Sequence, residues 1–458
     1  MTEVQGLAKF VVTRNASDIS KEAVEQLKIR ILDSLGCAIG ALDAEPIGMI
    51  REHLDDFGGN PLSCLIGGGK TSPDRAAFYN GALVRYLDFM DSYLAKGETC
   101  HPSDNLAPIL AAADYTNSHG KQMLVALAVA YQVQCRLSDE APVRIHGFDH
   151  TTQGAYAVAA GVAKVLGLGQ EQTANAIAIS GASNIALRVT RTGALSHWKG
   201  LAYPNTAFIA THAAFLACRG ITGPMEVFEG NKGFKESLSG PFTIDWSQED
   251  LERVNKTIVK KYNAEIHAQS AIEGVLELRS RYGFNGSEIE SIDIDIFSVA
   301  YNIIGGGEEG DKTTVLTKEE ADHSLPYMIA AAILDGELTP KQYESSRIKM
   351  DDIQHLLRRV HVRENASFTA RFPHEVPCSV TIHMKDGRQV QIEKKDYDGF
   401  FTRPFSWDEV RKKFDQLVAP YATEELRTKI VEVVANIESV KTKDLTSLLN
   451  QISKERLS

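Results

Sequence analysis

Between Tyr86 and Asn105 the chain reads Tyr-Leu-Asp-Phe-Met-Asp-Ser-Tyr-Leu-Ala-Lys-Gly-Glu-Thr-Cys-His-Pro-Ser-Asp-Asn, a stretch that gathers the residue types of general acid–base chemistry. Imidazole exchanges protons near neutral pH with little tuning, so His101 is the candidate proton carrier, with Asp88 as the carboxylate that orients it. Ser92 adds a hydroxyl, and Asp91 a second carboxylate. Pro102-Ser103-Asp104-Asn105 reads as a helix start, whose free backbone N–H groups favour an anion. On spacing alone, exposed aspartates and a turn-capping histidine are the commoner outcome for such a stretch.

Two helices would have to position these groups. Ser72, Pro73 and Asp74 are start signals, and Phe78, Leu83, Tyr86 and Leu87 fit a core-facing stripe. A helix running from there to Ser92 would set Asp88, Asp91 and Ser92 on neighbouring faces. Upstream, Asp18-Ile-Ser20 opens a helix marked by Val24, Leu27, Ile31, Leu32, Leu35 and Ile39. Its Gly36, Ala38, Gly40 and Ala41 would let another helix approach closely. Leu62 to Gly69 reads as a short extended piece. From Leu106 to Cys218 alanine-rich helices follow one another, as expected inside a bundle.

After about Tyr262 the character changes. Ile292, Ile294 and Ile296 alternate with Asp293 and Asp295, and Val360 with Val362. Val380, Ile382 and Met384 precede a Lys385-Asp-Gly-Arg388 turn to Val390 and Ile392, which predicts a hairpin. Helices are predicted at His323–Leu334 and Asp351–Leu357. Ser406-Trp-Asp-Glu and Thr423-Glu-Glu-Leu start two more near the C-terminus. The expected fold is mainly α with an α+β part. Residues 1–265 and 401–458 form a large all-α helical domain from both chain ends, and 266–400 an inserted α+β domain.

The totals narrow the function. A chain of 458 residues exceeds one typical core, and 43% hydrophobic with 24% charged residues is ordinary for a globular protein. The net charge of −11 argues against a nucleic-acid surface, which needs a basic stripe. Cys37, Cys64, Cys100, Cys135, Cys218 and Cys378 show no zinc or iron–sulfur spacing and suit a reducing compartment. With no basic-then-apolar leader and no long apolar span, a cytoplasmic location and no membrane partner are expected. Cys64-Leu-Ile-Gly-Gly-Gly-Lys-Thr lacks the first glycine of a P-loop, and the Gly305–Asp311 run carries carboxylates where a phosphate would sit. Neither HExxH nor GxSxG occurs.

Further candidates sit where elements begin or domains change: Asp149-His150, Ser196-His-Trp-Lys199-Gly200, Lys260-Lys261-Tyr-Asn-Ala-Glu265-Ile-His267 and Asp322-His323-Ser-Leu-Pro-Tyr327. Taken singly, each reads equally well as a cap, a linker or an exposed charge. Together with Leu87-Asp-Phe-Met-Asp91 and Thr99-Cys-His-Pro-Ser103, and in this order over roughly residues 5 to 450, these strings resemble the MmgE/PrpD family. That family includes 2-methylcitrate dehydratase and cis-aconitate decarboxylase.

The resemblance implies a helical domain with an inserted lid, a homodimer, and an active site between domain and lid that needs no metal or other cofactor. It carries the decarboxylase pocket pattern onto Asp88, Ser92 (serine for threonine) and His101, with a longer loop between the last two. It carries pocket lysines onto Lys199 and Lys261, histidines onto His150 and His267, and a lid tyrosine onto Tyr327. The strings around Lys261 and His323 look closer to the dehydratase branch. The implied function is therefore dehydration of a citrate-like tricarboxylic acid, most simply 2-methylcitrate to 2-methyl-aconitate. In this expectation His101, Asp88, Tyr327 and His150 are catalytic, and Ser92, Lys199, Lys261 and His267 bind a small carboxylic acid. Decarboxylation of cis-aconitate, isomerisation or epimerisation of a related acid, and a non-catalytic carboxylate-binding homologue are the alternatives.

Overall fold

A computed structural model describes residues 1–193 and 195–457. The chain divides into two compact units, one of Met1–Thr190, Gly200–Thr257 and Phe405–Ser458, the other of Arg191–Lys199 and Ile258–Pro404. The second unit thus starts earlier and ends later than the 266–400 span drawn from the sequence, and it takes in a short upstream segment.

In chain order the first helices are α1 (Glu3–Thr13), α2 (Lys21–Ile39), α3 (Glu45–Phe57), α4 (Pro73–Tyr86), α5 (Leu106–Thr116), α6 (Gly120–Glu140), α7 (Thr151–Val165), α8 (Gln170–Ser183) and α9 (Trp198–Cys218). Their alanines explain the packing: Ala126, Ala128 and Ala130 of α6 and Ala157, Ala159 and Ala160 of α7 are buried, and such small side chains let helices lie close. Gly36 serves the same end, since a Cβ there would sit 3.3 Å from the Phe414 backbone in the helix Trp407–Val418. The C-terminal segment is woven into this unit. Gly120 N–H donates to the Val440 carbonyl at 2.8 Å, Thr442 N–H to Ser118 at 3.0 Å, and Thr446 Oγ1 to Asp114 at 2.8 Å. No described helix is long and apolar enough to cross a membrane.

One expectation is corrected. Helix α4 stops at Tyr86, not Ser92, because Asp88 adopts a left-handed φ of 51° that ends the helical path. Such a conformation costs an L-residue roughly 1–2 kcal/mol, and aspartate tolerates it better than most. The Asp88 carboxylate turns back onto Arg85 at 2.7 Å, an ion pair that offsets the cost. Asp91 and Ser92 therefore lie on a loop. The segment after them is a small hairpin of Tyr93–Leu94 against Thr99–Cys100. It resembles in size the pair Ser63–Cys64 and Lys70–Thr71, the extended piece expected near Leu62.

The second unit holds a four-stranded sheet in the order Val360–Glu364, Ile289–Ile296, Cys378–Met384, Gln389–Lys394. The first pair is parallel and the others antiparallel. Ile294 sits between Val362 and Val380 in register, so the alternating isoleucines all face inward. The hairpin turn closes at Gly387, whose φ of 86° suits glycine. The helices Gln269–Tyr282, Leu325–Asp335 and Asp351–Leu357 complete the α+β unit.

Gly120 gives a test of the C-terminal return. A Cβ there would lie 1.9 Å from the Ile437 carbonyl oxygen, so Gly120→Ala must displace backbone. It should destabilise the protein by about 1–3 kcal/mol, read as a lower midpoint in urea. An unchanged midpoint would mean that the C-terminal segment is not held there.

Candidate functional site

Two groups of buried polar residues stand out, one in each unit. In the first, the hairpin returns His101 to Ser92 and Asp91. His101 Nδ1 lies 2.9 Å from the Asp91 carbonyl oxygen and 3.0 Å from Ser92 Oγ. A carbonyl only accepts, so Nδ1 carries the proton, and in the neutral ring Nε2 then holds the lone pair. The neutral ring is thereby set as a base through Nε2. Asp91 itself is fully buried and held at both oxygens, by Ser103 N–H at 3.0 Å and the Tyr131 hydroxyl at 2.8 Å. Burial pushes its carboxyl above the ordinary range despite those bonds.

His150 stands at the start of α7, its ring centroid 5.5 Å from that of His101 at an angle of 70°. Asp149 orients it, with Oδ1 at 3.2 Å from His150 Nδ1, and the same oxygen accepts the Thr151 N–H that opens the helix. Tyr203 lies against the other side of His150, its hydroxyl 3.1 Å from Asn105 Oδ1. Asp88, Asp91, Asp104 and Asp149 are all buried here. Burial works against the charge of Arg85, but Asp88 and then Asp104 outweigh it and keep the guanidinium firmly protonated.

The second group centres on Asp322. Lys199 Nζ is 2.7 Å from Asp322 Oδ1, Lys318 Nζ is 2.8 Å from Oδ2, and His323 Nδ1 lies 2.7 Å from Oδ1 and 2.9 Å from Lys199 Nζ. Burial alone would raise the Asp322 carboxyl; Lys199 and then Lys318 hold it far below the carboxylate range instead. Beside it Glu265 Oε1 is 2.8 Å from His267 Nδ1, and Oε2 accepts the His267 N–H at 2.8 Å. His267 is fully buried, its ring against Phe297 and Phe372. Burial would raise Glu265 as well, but His267, His323 and Lys260 bring it down to about 2. Burial lowers the pKa of Lys312, which faces Glu309, Glu265, Asp311 and Asp322. Lys199, Lys260, Lys312 and Lys318 thus face Asp322, Glu265, Glu309 and Asp311 in a cluster of alternating charge.

The expected residues fall in both units. Ser92, His101 and His150 come together in the first unit, and Lys199 and His267 belong to the Asp322-centred group of the second. Asp88 is paired with Arg85, while the Asp91 carbonyl holds the nitrogen that Asp88 was expected to orient. The Tyr327 hydroxyl donates to the Gln342 carbonyl, and burial pushes its pKa well up. Lys261, about one-third exposed, is shared by Asp398 at 3.1 Å and Glu273 at 3.5 Å, which it would have to leave to bind another anion. The sequence reading passed over Arg85, and it named Asp149, Glu265 and Asp322 within candidate strings without giving them a role. Arg85 and Asp88 do carry a signal, the i, i+3 spacing of opposite charges at a helix end.

Glu265 gives a pH prediction. Its folded pKa of about 2 lies below the unfolded value, so its stabilisation is present above roughly pH 4.5 and is lost as pH falls toward 2. The contribution is of order 3 kcal/mol. Glu265→Gln should flatten stability against pH in that window; an unchanged acid-unfolding slope would contradict the assignment.

The comparisons with known proteins agree with one another. The MmgE/PrpD N-terminal domain model matches residues 5–247 and the C-terminal domain model residues 262–439. The chain is 27% identical over 429 residues to 2-methylcitrate dehydratase of Escherichia coli K12, covering 86% of this chain and 85% of that protein. It is 28% identical over 404 residues to the probable 2-methylcitrate dehydratase of Saccharomyces cerevisiae, covering 81% and 76%. Cis-aconitate decarboxylase of Mus musculus matches at 26% over 448 residues, covering 91% and 87%. With both domain models matched over most of its length, the chain belongs to the MmgE/PrpD family and is an enzyme of the lyase class.

Proposed function

We propose that this protein dehydrates a citrate-like tricarboxylic acid, with 2-methylcitrate as the first substrate to try. The observation that carries the reaction type is His101: a buried imidazole whose Nδ1 proton is held by the Asp91 carbonyl, leaving Nε2 to accept a proton. The dehydratases among the relatives, and the strings around Lys261 and His323, support the substrate class.

Dehydration removes a C–H proton beside a carboxylate and expels hydroxide from the neighbouring carbon. His101 Nε2 takes the C–H proton, and the electron pair released forms the carbon–carbon double bond as the hydroxyl leaves. His150, oriented by Asp149 and adjacent to His101, is assigned the donor that turns the leaving group into water. Tyr327 was the other candidate; its hydroxyl is already given to a main-chain carbonyl, which supports His150. Lys199 and His267 are assigned to carboxylate binding, because an ammonium and an imidazole are groups that can meet a carboxylate and stabilise negative charge as it develops. With these groups the reaction needs no metal ion. Acid–base help is worth ~10²–10⁴-fold, so positioning and charge supply the remainder.

Turnover of 2-methylcitrate, citrate and cis-aconitate with product identification tests the reading. The expected result is a new conjugated double bond from a hydroxy acid without CO₂; CO₂ from cis-aconitate would instead favour the decarboxylase relative, and thermal stabilisation without turnover a binding role. His101→Ala should lower turnover at least ~10²-fold with little change in Tm. Near-normal turnover would remove His101 from the mechanism. Activity should also survive prolonged chelation, and loss reversed only by added iron or zinc would refute the metal-free proposal.

A further inference from the structure

Lysine is a poor choice for the inner face of a packed helix, because its ammonium must be desolvated. Lys413 sits on such a face of Trp407–Val418 and is only 6% exposed, whereas its neighbours Arg411 and Lys412 are in solvent. Three contacts of its ammonium matter here. It lies 2.7 Å from Asp33 Oδ1 of α2, donates to the Phe89 carbonyl at 2.6 Å, and stands 3.7 Å from the Phe89 ring centroid. Two of these belong to one residue of the loop that carries Asp91 and Ser92. The hold on Phe89 follows directly after Asp88, the left-handed residue tied to Arg85. Clamps therefore flank the bend on both sides, and two residues further on the Asp91 carbonyl meets His101 Nδ1.

We propose that Lys413 is a positioning residue for the lyase reaction, fixing the Phe89 peptide so that the Asp91 carbonyl keeps His101 in the tautomer that presents Nε2 as the base. The proposal rests on the role given to His101 above. It makes the C-terminal helix part of the catalytic apparatus without contact between Lys413 and substrate. Asp33 is the partner that lets the ammonium stay buried, and it also lies in the field of Asp91 and Arg30.

A purely structural ion pair and a positioning device respond differently to substitution. Lys413→Met leaves the Asp33 carboxylate buried and unpaired, so Tm should fall. Asp33→Asn with Lys413→Met removes that stranded charge and should recover most of the Tm, since neutral replacement of a buried pair is commonly tolerated. In the recovered double variant kcat should remain about 10–100-fold low with KM nearly unchanged. Lys413→Arg should restore most of kcat, and Lys412→Met should match the parent protein. The tautomer is read independently of turnover from the ¹⁵N shifts of the His101 ring in full-length protein, assigned by their loss in His101→Ala. The parent should show Nδ1–H alone, and the double variant a mixture with Nε2–H. A stable double variant with parental kcat and parental His101 shifts would overturn the proposal. If instead His101→Ala turns over normally, the functional reading fails while the ring shifts still decide whether Lys413 sets the tautomer.

Discussion

A neutral imidazole carries one proton on either of two nitrogens, and only the other nitrogen can take a proton from carbon. In this protein the choice is made by a main-chain carbonyl, that of Asp91, 2.9 Å from His101 Nδ1. A carbonyl cannot change its own protonation, so the choice does not drift with pH as it would with a carboxylate partner. What must then be secured is the carbonyl. Ser103 and Tyr131 hold the Asp91 side chain, Lys413 holds the peptide at Phe89, and Arg85 holds Asp88.

The distribution of charge follows a similar economy. The first unit is rich in buried aspartates around its histidines, and the second concentrates lysines around Asp322 and Glu265. Ammonium groups buried without counter-ions would lose their protons, and the carboxylates beside them keep the cluster charged.

Elements governed by periodicity were legible in the sequence. The small-residue helices, the isoleucine strand at Ile292–Ile296 and the hairpin around Gly387 each follow from spacing that repeats over several residues. Gly36 and Gly40 announced the close approach of another helix, which the structure shows to be Trp407–Val418. The loop at Asp88 was not legible, because its apolar neighbours continue a helical pattern and the left-handed turn depends on a pairing with Arg85. Nor was the partner of His101, since a backbone carbonyl leaves no residue signature. Lys413 lies 324 positions from Phe89, a separation across which spacing carries no information. Ser92, His101 and His150 were named because their strings resembled a family, and the structure brings these three together while giving the Tyr327 hydroxyl to the Gln342 carbonyl.

The central claim is that His101 removes a proton from carbon, and the most direct measurement follows that proton. With 2-methylcitrate deuterated at the carbon that loses hydrogen, the parent enzyme should turn over more slowly than with the light substrate and release the deuterium to water. In His101→Ala that release should fall along with product formation. Release of deuterium at the parental rate from the variant would show that another group takes the proton and would contradict the account.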